Sequence, residues 1–213
     1  APGATVLAID GLAGLTLSAG KMDETSMIAT EADVYGSITG TEAKDMISLA
    51  ANSSLYVKGS MDLLGGANAV TVAAKAALSV EGDLQNVNAL TLGAGGVNKG
   101  DEVVTSGENK AIVTINGNLT GSEGSNKLTV GNHAEFSAGN IYLSELGGNF
   151  TVTVGSNAKF ESGVIEGVNK LTIGNGIAFA YEAGGAKDQV YTQFASGMIS
   201  GTTGNDAITI GNY

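Results

Sequence analysis

An apolar–Thr–apolar triplet recurs along the chain, with polar, glycine-rich sequence between its copies. The copies are Leu15-Thr16-Leu17, Val70-Thr71-Val72, Leu90-Thr91-Leu92, Val113-Thr114-Ile115, Leu128-Thr129-Val130, Val152-Thr153-Val154, Leu171-Thr172-Ile173 and Ile208-Thr209-Ile210. Ile47-Ser48-Leu49 is a conservative variant. Alternation of this kind is the pattern of a half-buried strand, with two aliphatics on one face and a hydroxyl on the other. Copies at about 20-residue intervals mark stacked units, each too small to bury a core alone.

The intervals hold further short strands. Within 126–147, Leu128-Thr129-Val130 is followed by Ala134-Glu135-Phe136 and Ile141-Tyr142-Leu143, with turns at Gly131-Asn132 and Ser137-Ala138-Gly139-Asn140. The next unit repeats the plan with Val152-Thr153-Val154, Ala158-Lys159-Phe160 and Val164-Ile165, and an earlier one with Val70-Thr71-Val72, Leu78-Ser79-Val80 and Leu84. Strands this short, separated by Gly, Asn and Ser, predict an all-β fold. The expected form is a single-stranded right-handed parallel β-helix (β-solenoid) with three short strands per coil and roughly ten coils. The hand follows only from the general preference of parallel crossovers. One domain spans 1–213, with irregular or inserted coils near 21–46 and 174–207. The second of these is expected to hold a further coil starting near Val190-Tyr191-Thr192. A helical reading of 21–50 is set aside because of its β-branched residues and glycines.

Composition narrows the function. The chain of 213 residues has 33 Gly, one Pro and 43% hydrophobic residues, enough apolar content for a continuous core. It has no Cys, so thiol chemistry, disulfides and Cys-based metal sites are excluded. All 10 of its basic residues are lysines, set against 21 acidic ones, for a net charge of −11. Without the Arg fork and with this charge, nucleic-acid binding is not expected. No apolar run approaches the length of a membrane span, so membrane insertion is not expected either.

Two ladders follow from the repeat. The triplet threonines should form a rank along one outer face, as Thr does on any exposed strand. Ice binding, a minor alternative, needs a second parallel Thr rank. The flanking position reads Ala69, Ala89, Ile112, Lys127, Thr151, Lys170 and Ala207. Asn68, Asn88, Asn109, Asn126, Asn149, Asn169 and Asn205 precede the triplets and are read as a structural asparagine ladder.

No cofactor is expected, apart from calcium at weak candidates Asp45, Asp188 and Asp206. They sit in acidic turn phrases, Asp45-Met46-Ile47, Asp188-Gln189-Val190 and Asp206-Ala207-Ile208, alongside Asp101-Glu102-Val103. The stretch Gly201-Thr202-Thr203-Gly204-Asn205-Asp206 resembles half of the Gly/Asp nonapeptide of RTX proteins, and that resemblance implies calcium at Asp206. The match is single, whereas the RTX pattern needs consecutive repeats. The lone His133 lies in a Gly-Asn turn with no second histidine for catalysis or ligation. There is no nucleophile elbow, no phosphate loop, no Trp, and no converging carboxylate pair, so the chain is not expected to be an enzyme.

Phrases such as Gly124-Ser125-Asn126-Lys127-Leu128-Thr129-Val130-Gly131-Asn132 resemble the low-charge Gly/Asn/Thr repeats of very large exported bacterial surface proteins, the autotransporter-type and filamentous-haemagglutinin-like adhesins. The resemblance covers most of the chain, is one of style, and transfers no binding residue. It implies an extracellular, cell-surface location and an adhesin stalk or passenger segment that meets cell-surface or host glycans or proteins. A filament subunit is slightly favoured over that. Gly211-Asn212-Tyr213 matches Gly131-Asn132-His133, placing the end of the sequence just after the first strand of a coil. Neither end shows a polar or helical cap, and Ala4-Thr5-Val6-Leu7-Ala8-Ile9 reads as a strand. Uncapped repeat ends pair with other chains. Copies of the chain are therefore expected to stack head to tail through Val6, Leu7, Ile9, Ile208, Ile210 and Tyr213.

Overall fold

The computed structural model describes residues 4–22, 27–95, 110–142, 149–175, 177–178, 189–190 and 192–211. All regular structure among them is β. Eight strands form one parallel sheet in the order Gly14–Leu17, Met46–Leu49, Ala69–Val72, Ala89–Leu92, Asn126–Val130, Phe150–Val154, Lys170–Ile173 and Ala207–Ile210. A second parallel sheet has 13 strands. It climbs from Ala4–Val6 through Thr30–Val34, Ser53–Val57, Ala77–Val80, Ile112–Ile115 and Glu135–Ala138 to Lys159–Val168. From there it returns through Ile141–Tyr142, Leu119–Thr120, Leu84–Gln85 and Met61–Asp62 to Ile38–Thr39. Gln193–Gly201 pairs with Lys159–Val168 along its length.

This overturns the expected single β-solenoid of roughly ten three-strand coils. Two large parallel sheets take its place, closer in layout to the parallel sheets of α/β proteins, although built from strands alone among the described residues. Two physical reasons account for the difference. First, the corner near Gly163 does not break the strand. Lys159–Val168 and Gln193–Gly201 run on through it and merge two strand sets into one sheet. Second, the long intervals after Gly14–Leu17 and after Lys170–Ile173 both leave between a strand of the smaller sheet and the next strand of the larger. After Gly14–Leu17 and after Lys170–Ile173 the chain makes antiparallel pairs instead, Lys21–Met22 with Met27–Ile28 and Ile177–Ala178 with Gln189–Val190. Val190 thus belongs to a hairpin, not to the start of a coil. Tyr191 and the phrase Asp101-Glu102-Val103 lie outside the described residues.

The triplets sit in register. Leu15, Ile47, Val70, Leu90, Leu128, Val152, Leu171 and Ile208 form one rank, and Leu17, Leu49, Val72, Leu92, Val130, Val154, Ile173 and Ile210 another. Between them runs the hydroxyl rank from Thr16 to Thr209. Val113-Thr114-Ile115 is the exception: it lies in the larger sheet, between Leu78-Ser79-Val80 and Phe136-Ser137-Ala138. The two sheets bury one continuous core of Val, Leu, Ile and Phe. Phe136, Phe160 and Phe194 stack in sequence, with ring centroids 5.1 and 4.7 Å apart. Parallel sheets need both faces of the hydrogen-bond ladder supplied by neighbours, which explains why the repeats stack rather than fold singly.

One corner is held closed by a glycine at every level. A Cβ on Gly59, Gly82, Gly117, Gly139, Gly163 or Gly197 would sit 2.5 to 3.0 Å from the carbonyl oxygen of the glycine one repeat earlier. Beside this glycine rank runs a polar one. Ser37 Oγ accepts from the Ser60 N–H (3.2 Å), Ser60 Oγ from the Asp83 N–H (3.1 Å), and Asp83 Oδ1 from the Asn118 N–H (2.7 Å). Asn140 Nδ2 then donates to Asn118 Oδ1 (3.0 Å), and Asn140 Oδ1 accepts from the Val164 N–H (3.0 Å).

Phe160→Ala removes the middle ring of the aromatic stack and is expected to cost about 3–5 kcal/mol of unfolding free energy. Gly117→Ala, which pushes a Cβ against the Gly82 carbonyl, should cost about 1–3 kcal/mol. Thr172→Ala on the outer face should stay within about 0.5 kcal/mol. Urea titration of the three variants measures all of this; equal midpoints would contradict it.

Candidate functional site

Two groups of residues were singled out in the sequence, the turn aspartates and the end strands, and the fold places both. Asp45 and Asp206 each end a five-residue turn that opens with threonine. The Thr41 N–H donates to Asp45 Oδ2 (2.8 Å) and the Thr41 hydroxyl to Oδ1 (2.7 Å). The Thr202 N–H and hydroxyl do the same to Asp206, both at 2.8 Å. In each turn the residue two after the threonine donates its N–H back to the threonine oxygen, Ala43 at 3.2 Å and Gly204 at 3.1 Å. Asp45 is fully buried, a burial its carboxylate tolerates because both oxygens accept hydrogen bonds. Asp206 is exposed.

Asp45 precedes the second strand of the smaller sheet and Asp206 the eighth, so they do not come together. Asp188 lies outside the described residues. Among the described residues no group of three or more His, Cys, Asp or Glu could hold a metal ion.

Register shows what these aspartates are. They occupy the same position as the ladder asparagines, giving the rank Asp45, Asn68, Asn88, Asn126, Phe150, Asn169, Asp206. Asn68 is buried and carries the most bonds. Its Oδ1 accepts the Asp45 N–H (2.8 Å), and its Nδ2 donates to the carbonyls of Leu63, Gly65 and Asn86, each at 2.9 Å. The Asn68 N–H donates in turn to Asn88 Oδ1 (2.8 Å), and the Phe150 N–H to Asn169 Oδ1 (2.6 Å). Asn68, Asn88 and Asn169 thus each accept an N–H of the repeat before, whereas Asn126 Oδ1 accepts the Ser122 N–H of its own turn (3.3 Å). Asn149 and Asn205 fall one residue short of this rank, and Asn109 lies outside the described residues. The signal that would have found Asp45 and Asp206 is present in the sequence: Gly-Thr with Asp four residues after the threonine, and a strand next.

His133 has a left-handed backbone, φ 59°, like Asn52, Lys75 and Asn157 in the corresponding turns, so it fills a conformational role there. On the outer face of the larger sheet the Tyr56 hydroxyl donates to the Glu81 carboxylate, and that bond holds the phenol above its usual pKa. The Thr rank on the smaller sheet is single; its neighbour runs Gly14, Met46, Ala69, Ala89, Lys127, Thr151, Lys170, Ala207.

The end strands complete the picture. Val6 and Ile9 belong to core-facing ranks, opposite Val34 and Ile38, while Leu7 lies in the corner between them and is 83% exposed. Ile208 and Ile210 continue the core ranks of buried Leu171 and half-buried Ile173 yet are 61% and 69% exposed. Met198 and Ile199 of the adjoining larger-sheet strand are exposed as well. Tyr213 lies outside the described residues. Large aliphatics in core ranks, exposed beside strands with one unpaired edge among the described residues, form an apolar end face.

No family model, curated protein or solved structure matches the chain.

Asn68→Ala leaves the Asp45 N–H and three carbonyls without partners and should cost about 1–3 kcal/mol. Asn68→Asp should cost more, because a carboxylate cannot donate to those carbonyls. Urea midpoints test the order; Asn68→Asp at or above Asn68→Ala would contradict it. With both aspartates engaged by threonine, millimolar calcium is expected to leave the melting temperature unchanged. A rise of several degrees would mark a cation site instead.

Proposed function

We propose that the chain is a structural, non-enzymatic component of an extracellular surface, and that copies associate end to end into a filament. The observation that carries this reading is the apolar end face: Val6 at one end, Ile208 and Ile210 at the other, each the exposed last member of a rank that is buried in the middle of the sheet. Backbone hydrogen bonding across an open strand edge supplies direction, and burial of these aliphatics supplies free energy, roughly 25 cal/mol per Å². An acidic exterior, at net charge −11, keeps neighbouring fibres apart. The extracellular placement rests on the style of the repeats.

Further repeats of a longer surface protein would cover the same open edges, which makes an adhesin stalk the second reading. In that case the partners are glycans or proteins of a cell or host surface.

Negative-stain electron microscopy of the purified chain at micromolar concentration separates the two. Long unbranched fibres a few nanometres wide are expected, and Val6→Lys or Ile208→Lys should weaken association at least tenfold, about 1.4 kcal/mol. Isolated short particles that the lysine variants leave unchanged would sink the filament and favour the adhesin segment.

A further inference from the structure

Resting on the end-to-end reading, we infer that the end face at Ala207–Ile210 takes a second copy of this chain in one polarity and one register. Ala207–Ile210 and Gln193–Gly201 of one copy lie parallel to Gly14–Leu17 and Ala4–Val6 of the next, with Thr209 beside Thr16.

Three observations fix this arrangement. Every step within the smaller sheet is parallel and without offset: Thr16 to Ser48, Thr153 to Thr172, Thr172 to Thr209. One more identical step sets Ile208 on Leu15 and Ile210 on Leu17, aliphatic on aliphatic. Leu15 and Leu17 are only half-buried in the single chain, as a surface awaiting a neighbour would be.

Corner length gives the second argument. Between the core positions of the larger sheet four successive repeats place three residues, as Lys58, Gly59 and Ser60 between Val57 and Met61. The last three repeats place two, Gly139-Asn140, Gly163-Val164 and Gly197-Met198, and so does the first, Leu7 and Ala8. The first repeat thus follows the last with no change of path.

The third concerns the alternative. Two copies meeting through the same end, related by a two-fold axis, would pair antiparallel. Every step within the smaller sheet is parallel, and such a dimer, which sets Thr209 against the same edge of its partner, continues none of them. Head-to-tail docking is heterologous and open, and propagates.

Leu7 marks where the junction differs from an internal step. It stands in the place of Gly197, and at that place a Cβ meets the carbonyl of the repeat below, as one on Gly197 would meet Gly163 O at 2.9 Å. The corner must open slightly to admit it, so the junction is weaker than the steps inside the chain and reverses on dilution.

The test uses the absence of native cysteine. Thr16 and Thr209 are both exposed, and adjacent in-register parallel strands lie about 4.8 Å apart, within disulfide reach. Within one chain they are seven steps apart, roughly 34 Å, so no internal bridge can form. Oxidised Thr16→Cys/Thr209→Cys protein is expected to give a ladder of covalent oligomers on non-reducing gels, while Thr209→Cys alone stays monomeric. Dimers from Thr209→Cys alone, or no bridging by the double variant although sedimentation shows association, would overturn the register and polarity while end-to-end association stands. A chain that sediments only as monomer at micromolar concentration overturns both.

Discussion

Backbone hydrogen bonding from each repeat to the next is the constraint on which the rest of the molecule depends. It fixes the distance between neighbouring strands at about 4.8 Å and keeps the smaller sheet in register throughout, with a shift in the larger sheet between Ile165 and Val168. A residue therefore meets its own counterpart above and below, and the sequence must satisfy that meeting at every position. Aliphatics meet aliphatics in the ranks from Leu15 to Ile208 and Leu17 to Ile210. Phe136, Phe160 and Phe194 meet face to face. Where the backbones of successive corners nearly touch, only glycine fits.

The same constraint explains why the polar ladders are more than decoration. Corners leave N–H groups that no strand neighbour can take, and a buried orphan donor costs as much as a lost hydrogen bond. Asn68, Asn88 and Asn169 accept those N–H groups from the preceding repeat, and Ser37, Ser60 and Asp83 accept them from the following one. The two ladders run in opposite directions on different corners. Asp45 and Asp206 belong to the first of them, each with a threonine in place of the carbonyls that an asparagine amide would bond. A repeat that satisfies its own neighbours this way has nothing to satisfy its outermost edges, and those edges are where a partner gains most.

Much of this was legible in the sequence because register repeats locally. Two-residue alternation in Leu128-Thr129-Val130 names a strand and its buried face without any long-range knowledge. What failed was assignment at longer range. Val113-Thr114-Ile115 has the triplet pattern but belongs to the larger sheet, since an apolar–hydroxyl–apolar strand suits either sheet; only pairing with Leu78-Ser79-Val80 decides. Asn149 looks like a ladder member, yet Phe150 holds the position, because turn length before the strand varies by a residue. The division into faces was also misjudged. Gly, Asn and Ser between short strands read as strand breaks, but a glycine that lets backbones approach, such as Gly163, need not end a strand, and so two strand sets became one sheet. The threonine partners of Asp45 and Asp206 were not legible either, because a carboxylate in a turn carries no local sign of which donors surround it.

The central claim is that the stacking inside the chain continues from one copy to the next along a single axis. X-ray diffraction from oriented assemblies of the purified protein tests it most directly. Continued stacking predicts a meridional reflection at about 4.8 Å, strands perpendicular to the fibre axis. The same spacing on the equator, or a chain that forms no assemblies to orient, would contradict it.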